Sequence, residues 1–153
     1  MAALKDQLRA DLTAAMKARD DVRTRTIRSA LTAVSTAEVA GRASRELSDD
    51  EVVTVLTKEA KRRREAADAF AAAGRTEQAS AERAEGEILA TYLPAQLGDD
   101  EIAALVTAGI EQTAATGMGA MGQVMKVVTP QTAGRADGGR VAAEVRRQLA
   151  QQG

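Results

Sequence analysis

The stretch Gly117-Met118-Gly119-Ala120-Met121-Gly122-Gln123-Val124-Met125-Lys126, running on through Thr129-Pro130 to Gly134-Arg135-Ala136-Asp137-Gly138-Gly139-Arg140-Val141, is where the backbone is most clearly shaped by its residues. Met118, Met121, Val124, Met125 and Val128 recur at intervals of three and four, which marks one face of a short helix. Gly117 reads as the stop of the preceding helix. Gly119 and Gly122 remove side chains where another helix or a ligand could come close. Thr129-Pro130 is expected to end the helix, because a residue before proline is pushed out of the helical region. Asp137 then serves as the cap of a last helix, its carboxylate accepting from the free N–H groups that follow.

Working outward, the same spacing of three and four governs the whole chain and predicts an all-α fold of about seven helices. Leu4, Leu8, Leu12 and Met16 lie on one face of a first helix that ends near Arg19-Asp20-Asp21. Ile27, Leu31 and Val34 mark a second, and a polar connection follows from Gly41 to Glu46. Leu47-Ser48-Asp49-Asp50-Glu51-Val52 is a helix start. Ser48 is the N-cap, Glu51 completes a reciprocal capping box, and Leu47 is placed to staple to Val52. Leu97-Gly98-Asp99-Asp100-Glu101-Ile102 repeats the pattern. The third helix runs from Asp49 to about Ala73, with Gly74 as its stop, and a fourth from about Thr76 to Tyr92. Leu93-Pro94 breaks the pattern and divides the chain into a four-helix module (1–94) and a three-helix module (95–153). In the second module Ile102, Leu105, Val106 and Ile110 mark the fifth helix, and Val141, Val145 and Leu149 the last.

Composition narrows the functional classes. Of 153 residues, 44% are apolar but only 1% aromatic, so the core is built from Ala, Val, Leu, Ile and Met. The formal net charge is −1, from 21 basic and 22 acidic residues, so attraction to a polyanion must come from a local patch. Without Cys or His there are no disulfides, thiolate nucleophiles, imidazole bases or common zinc ligands. The acidic triplets at 49–51 and 99–101 read as helix starts, where carboxylates suit the dipole, and no metal site is expected. No Walker loop, dinucleotide fingerprint or amidase-type Ser/Lys signature occurs, so no cofactor is expected. The start of the chain carries no apolar leader and no run long enough to span a bilayer, which makes the cytoplasm the expected location.

The motifs Met121-Gly122-x-Val124-Met125-Lys126 and Gly134-Arg135-Ala136-Asp137-Gly138, with Val141 and Leu149, resemble the YqeY family. Through it they are similar to the tail domain of the GatB subunit of glutamine-dependent tRNA amidotransferase. Tyr92-Leu93-Pro94-x-Gln96-Leu97 and Gly74-Arg75 fit as well, so the resemblance covers nearly the whole chain. It implies an all-helical module associated with tRNA or a tRNA–amidotransferase complex. The part of GatB that activates the tRNA-bound acid has no counterpart in this chain.

Three groups of residues carry candidate chemistry. Five of the seven residues from Lys58 to Arg64 are basic. Lys58, Lys61 and Arg64 fall opposite the apolar positions Val52, Leu56 and Phe70, forming either a phosphate-contacting stripe or a solvated face balanced by Glu65 and Asp68. Glu59 and Arg63 fall inside the apolar face at the i,i+4 spacing of an ion pair, with Arg28 or Glu38 as further partners. In the second module Lys126, Arg135 and Arg140 flank the glycine-shaped stretch and form a second candidate phosphate surface. Arg19, Arg23, Arg25 and Arg28 are a further basic cluster, interleaved with Asp20 and Asp21. With one Phe and one Tyr there is no platform for stacking bases, so RNA would be held by shape and phosphate contact. The rival reading is a protein-interaction adaptor docking through the methionine helix and the surface around Pro94.

Glutamine hydrolysis needs an activated nucleophile that this chain does not supply. The purified protein is therefore expected to release no ammonia from glutamine in a coupled assay, and sustained release by homogeneous protein would overturn that reading.

Overall fold

The computed structural model describes residues 3–152. They form seven α-helices and a single 3₁₀ turn, with no strand among the described residues. The chain divides into two compact units, Met1–Pro94 and Ala95–Gly153.

In the first unit α1 (Ala3–Lys17) and α2 (Asp21–Glu38) form one hairpin, and α3 (Asp49–Ala72) and α4 (Thr76–Ala90) a second, longer one. Asp20 turns the chain between α1 and α2, its carboxylate accepting from the Arg23 N–H at 3.0 Å. At the start of α3 both halves of the capping box are made. The Glu51 N–H donates to Ser48 Oγ, and the Ser48 N–H donates to Glu51 Oε2 at 2.9 Å. Gly74, at φ +75°, supplies the left-handed turn after α3. The core gathers Leu8, Ile27, Val34, Leu47, Val52, Leu56, Leu89 and Tyr92. The Tyr92 hydroxyl donates to Asp11 Oδ2 at 2.5 Å. Burial first, and then that carboxylate, push the phenol up to about 12, so it stays protonated.

The first helix departs from its sequence pattern at one end. Met16 is half-exposed and Ala15 takes the buried position. Lys5 is buried beside the apolar stripe, where its ammonium meets Glu38 at 2.6 Å. The other Glu38 oxygen accepts from the Leu47 N–H at 3.0 Å, so this one carboxylate ties α1, the end of α2 and the entry to α3 together.

The second unit packs α5 (Asp99–Thr113), the 3₁₀ turn (Met118–Ala120), α6 (Met121–Thr132) and α7 (Gly138–Ala150) around Ile102, Val106, Val124, Val128, Val141, Val145 and Leu149. Asp137 caps α7 through the Gly139 N–H at 3.1 Å. Asp99 opens α5, but its N-cap is Gly98, which has no side chain to bond, so the second acidic start lacks half of the device at Ser48.

Four features of the glycine-shaped stretch differ from the sequence reading. α5 ends at Thr113, with Ala114 at φ +51° as its cap, and Gly117 instead opens the 3₁₀ turn. Pro130 lies inside α6, which continues to Thr132, instead of ending it. The Ala133 N–H bonds to the Thr129 carbonyl at 3.0 Å, carrying the turn past the proline. Lys126 and Pro130 are both exposed, so water can serve the carbonyl that has no donor from the proline. Met118 is half-exposed on the 3₁₀ turn, while Met121 and Met125 pack against the core. A Cβ placed on Gly119 or Gly122 would meet nothing within 4 Å, so neither marks a close approach to another part of the fold. That role belongs to Gly109 of α5, where a Cβ would stand 2.6 Å from a Val128 methyl of α6.

Carboxylates held below their ordinary range, Glu51 and Glu38 in the first unit and Glu144 beside Arg147 in the second, contribute acid sensitivity. The Arg45 guanidinium, followed by the Ser48 N–H, holds Glu51 down at about 2, from 4.5. Lys5, followed by the Leu47 N–H, also lowers Glu38. A depressed folded-state pKa gives stability that is fully present above the unfolded value and lost as pH falls toward the folded one. Thermal midpoints should therefore hold steady down to about pH 4.5 and decline from there toward about pH 2. Glu51→Gln should flatten that decline in calorimetric scans across the same range. A variant whose acid limb parallels the parent's would show that Glu51 does not contribute to it.

Candidate nucleic-acid interface

The outward face of α3 is set by what its inward face must satisfy. Glu59 and Arg63 are both largely buried, with side chains 17% and 20% exposed, as their phase within the apolar stripe implies. They do not pair with each other. Glu59 receives Arg62 at 3.0 Å, three residues along the same helix. Arg63 reaches across to α4, where one nitrogen contacts both Glu85 and Glu82, while its second donates to Ser29 Oγ of α2 at 3.2 Å. The i,i+4 pairing gives way because α4 presents a buried carboxylate whose charge must be met by arginine. Neither Arg28 nor Glu38 joins this network. Arg28 lies against the Met16 sulfur, and Glu38 is taken by Lys5. The α2 member is Arg25, whose Nε donates to Glu85 at 2.9 Å.

With Arg63 fixed inward, Lys58, Lys61 and Arg64 are exposed. They do not form an unbroken cationic surface. At about 100° per residue Glu65 falls between Lys58 and Lys61, and Asp68 between Lys61 and Arg64. Asp68 also lies 3.9 Å from Arg83 of α4. Lys58 turns toward a groove of about 680 Å³ between α2 and α3, where Arg62 stands beside it. Arg62 is a cation that the sequence reading does not single out. Its phase, one turn beyond Lys58, is the available signal.

The second set is divided by the fold. Lys126 is exposed on α6 and Arg135 is half-buried before α7. The Arg135 carbonyl accepts the Leu97 N–H at 2.8 Å, a backbone tie to the entry of α5. Arg140 is engaged. Its guanidinium meets Asp99 and donates to the Leu97 carbonyl at 3.4 Å, pinning the start of α7 to the start of α5. A phosphate would have to displace Asp99 to use it. The Gly138–Gly139 helix start is likewise occupied by the Asp137 carboxylate.

Glu82 and Glu85 of α4 and Lys5 of α1 are further polar residues that the sequence pattern alone does not bring forward. Glu85 is detectable, lying three and four residues before Ile88 and Leu89 and so on the apolar face. Among the described residues no group of acidic side chains is arranged to hold a metal ion. No helix of the described residues is long and apolar enough to cross a membrane.

Fold and surface thus describe an all-helical protein whose buried charged residues tie helices together, with basic residues interleaved with acids on the outer face of α3. The family of Yqey-like proteins matches this chain over residues 5–149, nearly its full length, and the protein belongs to that family. No curated protein matches the chain.

Removing Arg63 leaves Glu85 with Arg25 alone, on a side chain that is 7% exposed. Arg63→Met should therefore destabilise the first unit by about 1–3 kcal/mol in urea unfolding. Glu59→Gln, which removes one i,i+3 pair to an exposed guanidinium, should cost less than about 1 kcal/mol. Equal costs would mean that the cross-helix network does not govern the position of α3.

Proposed function

We propose that this protein is an accessory of aminoacyl-tRNA metabolism in the cytoplasm that holds tRNA through phosphate contacts and carries out no chemistry of its own. The observation that carries the reading is the outward presentation of Lys61 and Arg64 on the open face of α3, with Lys58 beside them at the edge of the groove, while Glu59 and Arg63 of the same helix are turned inward and paired. Membership of the Yqey-like family, with the resemblance of its second-unit motifs to the tail of GatB, supports tRNA as the polyanion. Lys126 and Arg135 form the accessible part of a second surface, while Arg140 serves mainly to hold Asp99.

Contacts of this kind neutralise phosphates irrespective of base sequence, so affinity should fall with salt and be similar for all tRNAs. Glu65 and Asp68 among the cations weaken the field, which points to modest affinity at physiological ionic strength. The adaptor reading through the methionine helix has less support, since Met121 and Met125 pack on the core and only Met118 of the three is exposed.

The test is a titration of total tRNA at two salt concentrations. Lys61→Glu with Arg64→Glu should weaken binding to all tRNAs alike and lower the salt slope by about one unit for each phosphate no longer neutralised. Circular dichroism should show the fold unchanged. Lys126→Glu tests the second surface without disturbing a pair. If neither variant changes low-salt affinity, the nucleic-acid reading fails.

A further inference from the structure

We propose that the groove between α2 and α3 is a docking site for an amphipathic helix of a protein partner, apolar on its entering face and acidic on the flank that meets α3. The groove lies wholly within the first unit and holds about 680 Å³. Its floor is Ala33 and Ala37 of α2 with Val55 and Ala66 of α3, all half-buried and none larger than valine. Such a floor lets another helix approach at close interaxial distance. Along α3, from Val55 to Ala66, it extends about 16 Å at the helical rise per residue, room for three turns.

The two walls differ in charge, and this determines the occupant. On the α2 side the rim is Thr32 and Thr36, exposed and neutral. On the α3 side it is Lys58 and Arg62. Lys58 makes no ion pair among the described residues, and Arg62, at 75% exposure, is tied only to its i,i+3 neighbour Glu59. The Arg62 guanidinium is the exposed end of that pair, so it can reach a partner's carboxylate while remaining beside the less exposed Glu59. The carboxylates lining the groove, Glu59 and Glu82, are already met by Arg62 and Arg63, so Lys58 leaves the rim with a net positive charge. A helix with an apolar underside and carboxylates along one flank would satisfy floor and rim together, and the one-sided charge would fix its roll. A nucleic-acid strand fits less well. Its phosphates would lie over alanine and valine and beside Glu59 and Glu82.

The absence of cysteine makes a single reporter possible. Ala40→Cys at the end of the groove would carry an environment-sensitive dye. The probes are three synthetic helical peptides of about 18 residues, long enough to hold helix in isolation, with one leucine stripe and flanks of Glu, Gln or Lys. The Glu peptide should shift the dye and saturate at micromolar concentration, with the Gln form about fivefold weaker and the Lys form at least about tenfold weaker. Thr36→Arg, on the exposed neutral rim, should weaken the Glu peptide at least about tenfold by obstruction, despite adding a favourable charge. It should leave tRNA binding equal or tighter, whereas Lys61→Glu with Arg64→Glu should affect tRNA and spare the peptide, so this proposal and the tRNA reading fail separately. Thr32→Arg, one turn earlier, repeats the test if Thr36→Arg perturbs the fold. No dye response, equal affinities for the three peptides, or indifference to both arginine variants would overturn the proposal. So would a duplex RNA that shifts the dye where the Glu peptide does not.

Discussion

The first unit depends on one buried carboxylate. Glu85 lies on the apolar face of α4, beside Ile88 and Leu89, where an uncompensated charge would cost several kcal/mol. Arg63 from α3 and Arg25 from α2 meet it from two sides, so three helices are fixed to a single pair of oxygens. Ser29 accepts from the second terminal nitrogen of Arg63, and Glu82 shares the first. An apolar triad in these positions would hold the helices as firmly. It would leave their roll about their own axes open, because hydrophobic contact has no direction. The network adds direction to the buried stripe of Val52, Leu56, Ala60 and Ala67, which turns the opposite side of α3 to water.

Direction matters more here because the core is thin. With one Phe and one Tyr, each unit packs mainly Val, Leu, Ile and Ala, and small side chains tolerate several registers of one helix against the next. The two units solve this differently. The first uses charge: Lys5–Glu38 at one end, Arg25–Glu85–Arg63 in the middle, and the Arg45–Glu51 fork at the start of α3. The second adds shape to its Arg140–Asp99 pair. Gly109 lets α6 approach so closely that a single Cβ would collide with Val128, and that fit fixes the register of the two helices.

Much of this is legible in the sequence, and what is not shares one cause. Ser48 and Glu51, Gly74, and Asp137 are readable because a cap depends only on residues within a few positions of it. Glu59 and Arg63 can be placed inside the apolar face, since helical phase is also local. Their pairing cannot be read the same way, because the competitor, Glu85, is separated by 22 positions from Arg63 and no local rule weighs it. Pro130 meets the same limit in reverse. The rule that a residue before proline leaves the helix is a bias, and exposure of the affected turn lets α6 absorb the missing bond. Met16 and Met118 carry the right period and still face solvent, because period says which residues share a face but not where a neighbouring helix stops covering it.

One consequence of the Glu85 network bears on the surface. Arg62 and Arg63 are adjacent, so their side chains diverge by about 100°. With Arg63 committed inward, Arg62 can only stand at the rim of the α2–α3 groove, with Lys58 one turn before it. Lys61 and Arg64 then fall on the far side of the rim. The basic run from Lys58 to Arg64 is thus divided among three environments by the phase of the apolar stripe, with a carboxylate on another helix to receive its inward member. The interior takes one cation, the groove two and the open face two. What reads in sequence as a single basic patch is therefore two surfaces with different chemistry, one flat and interleaved with acids, the other concave with an apolar floor. Partners that engage them need not belong to the same class of molecule.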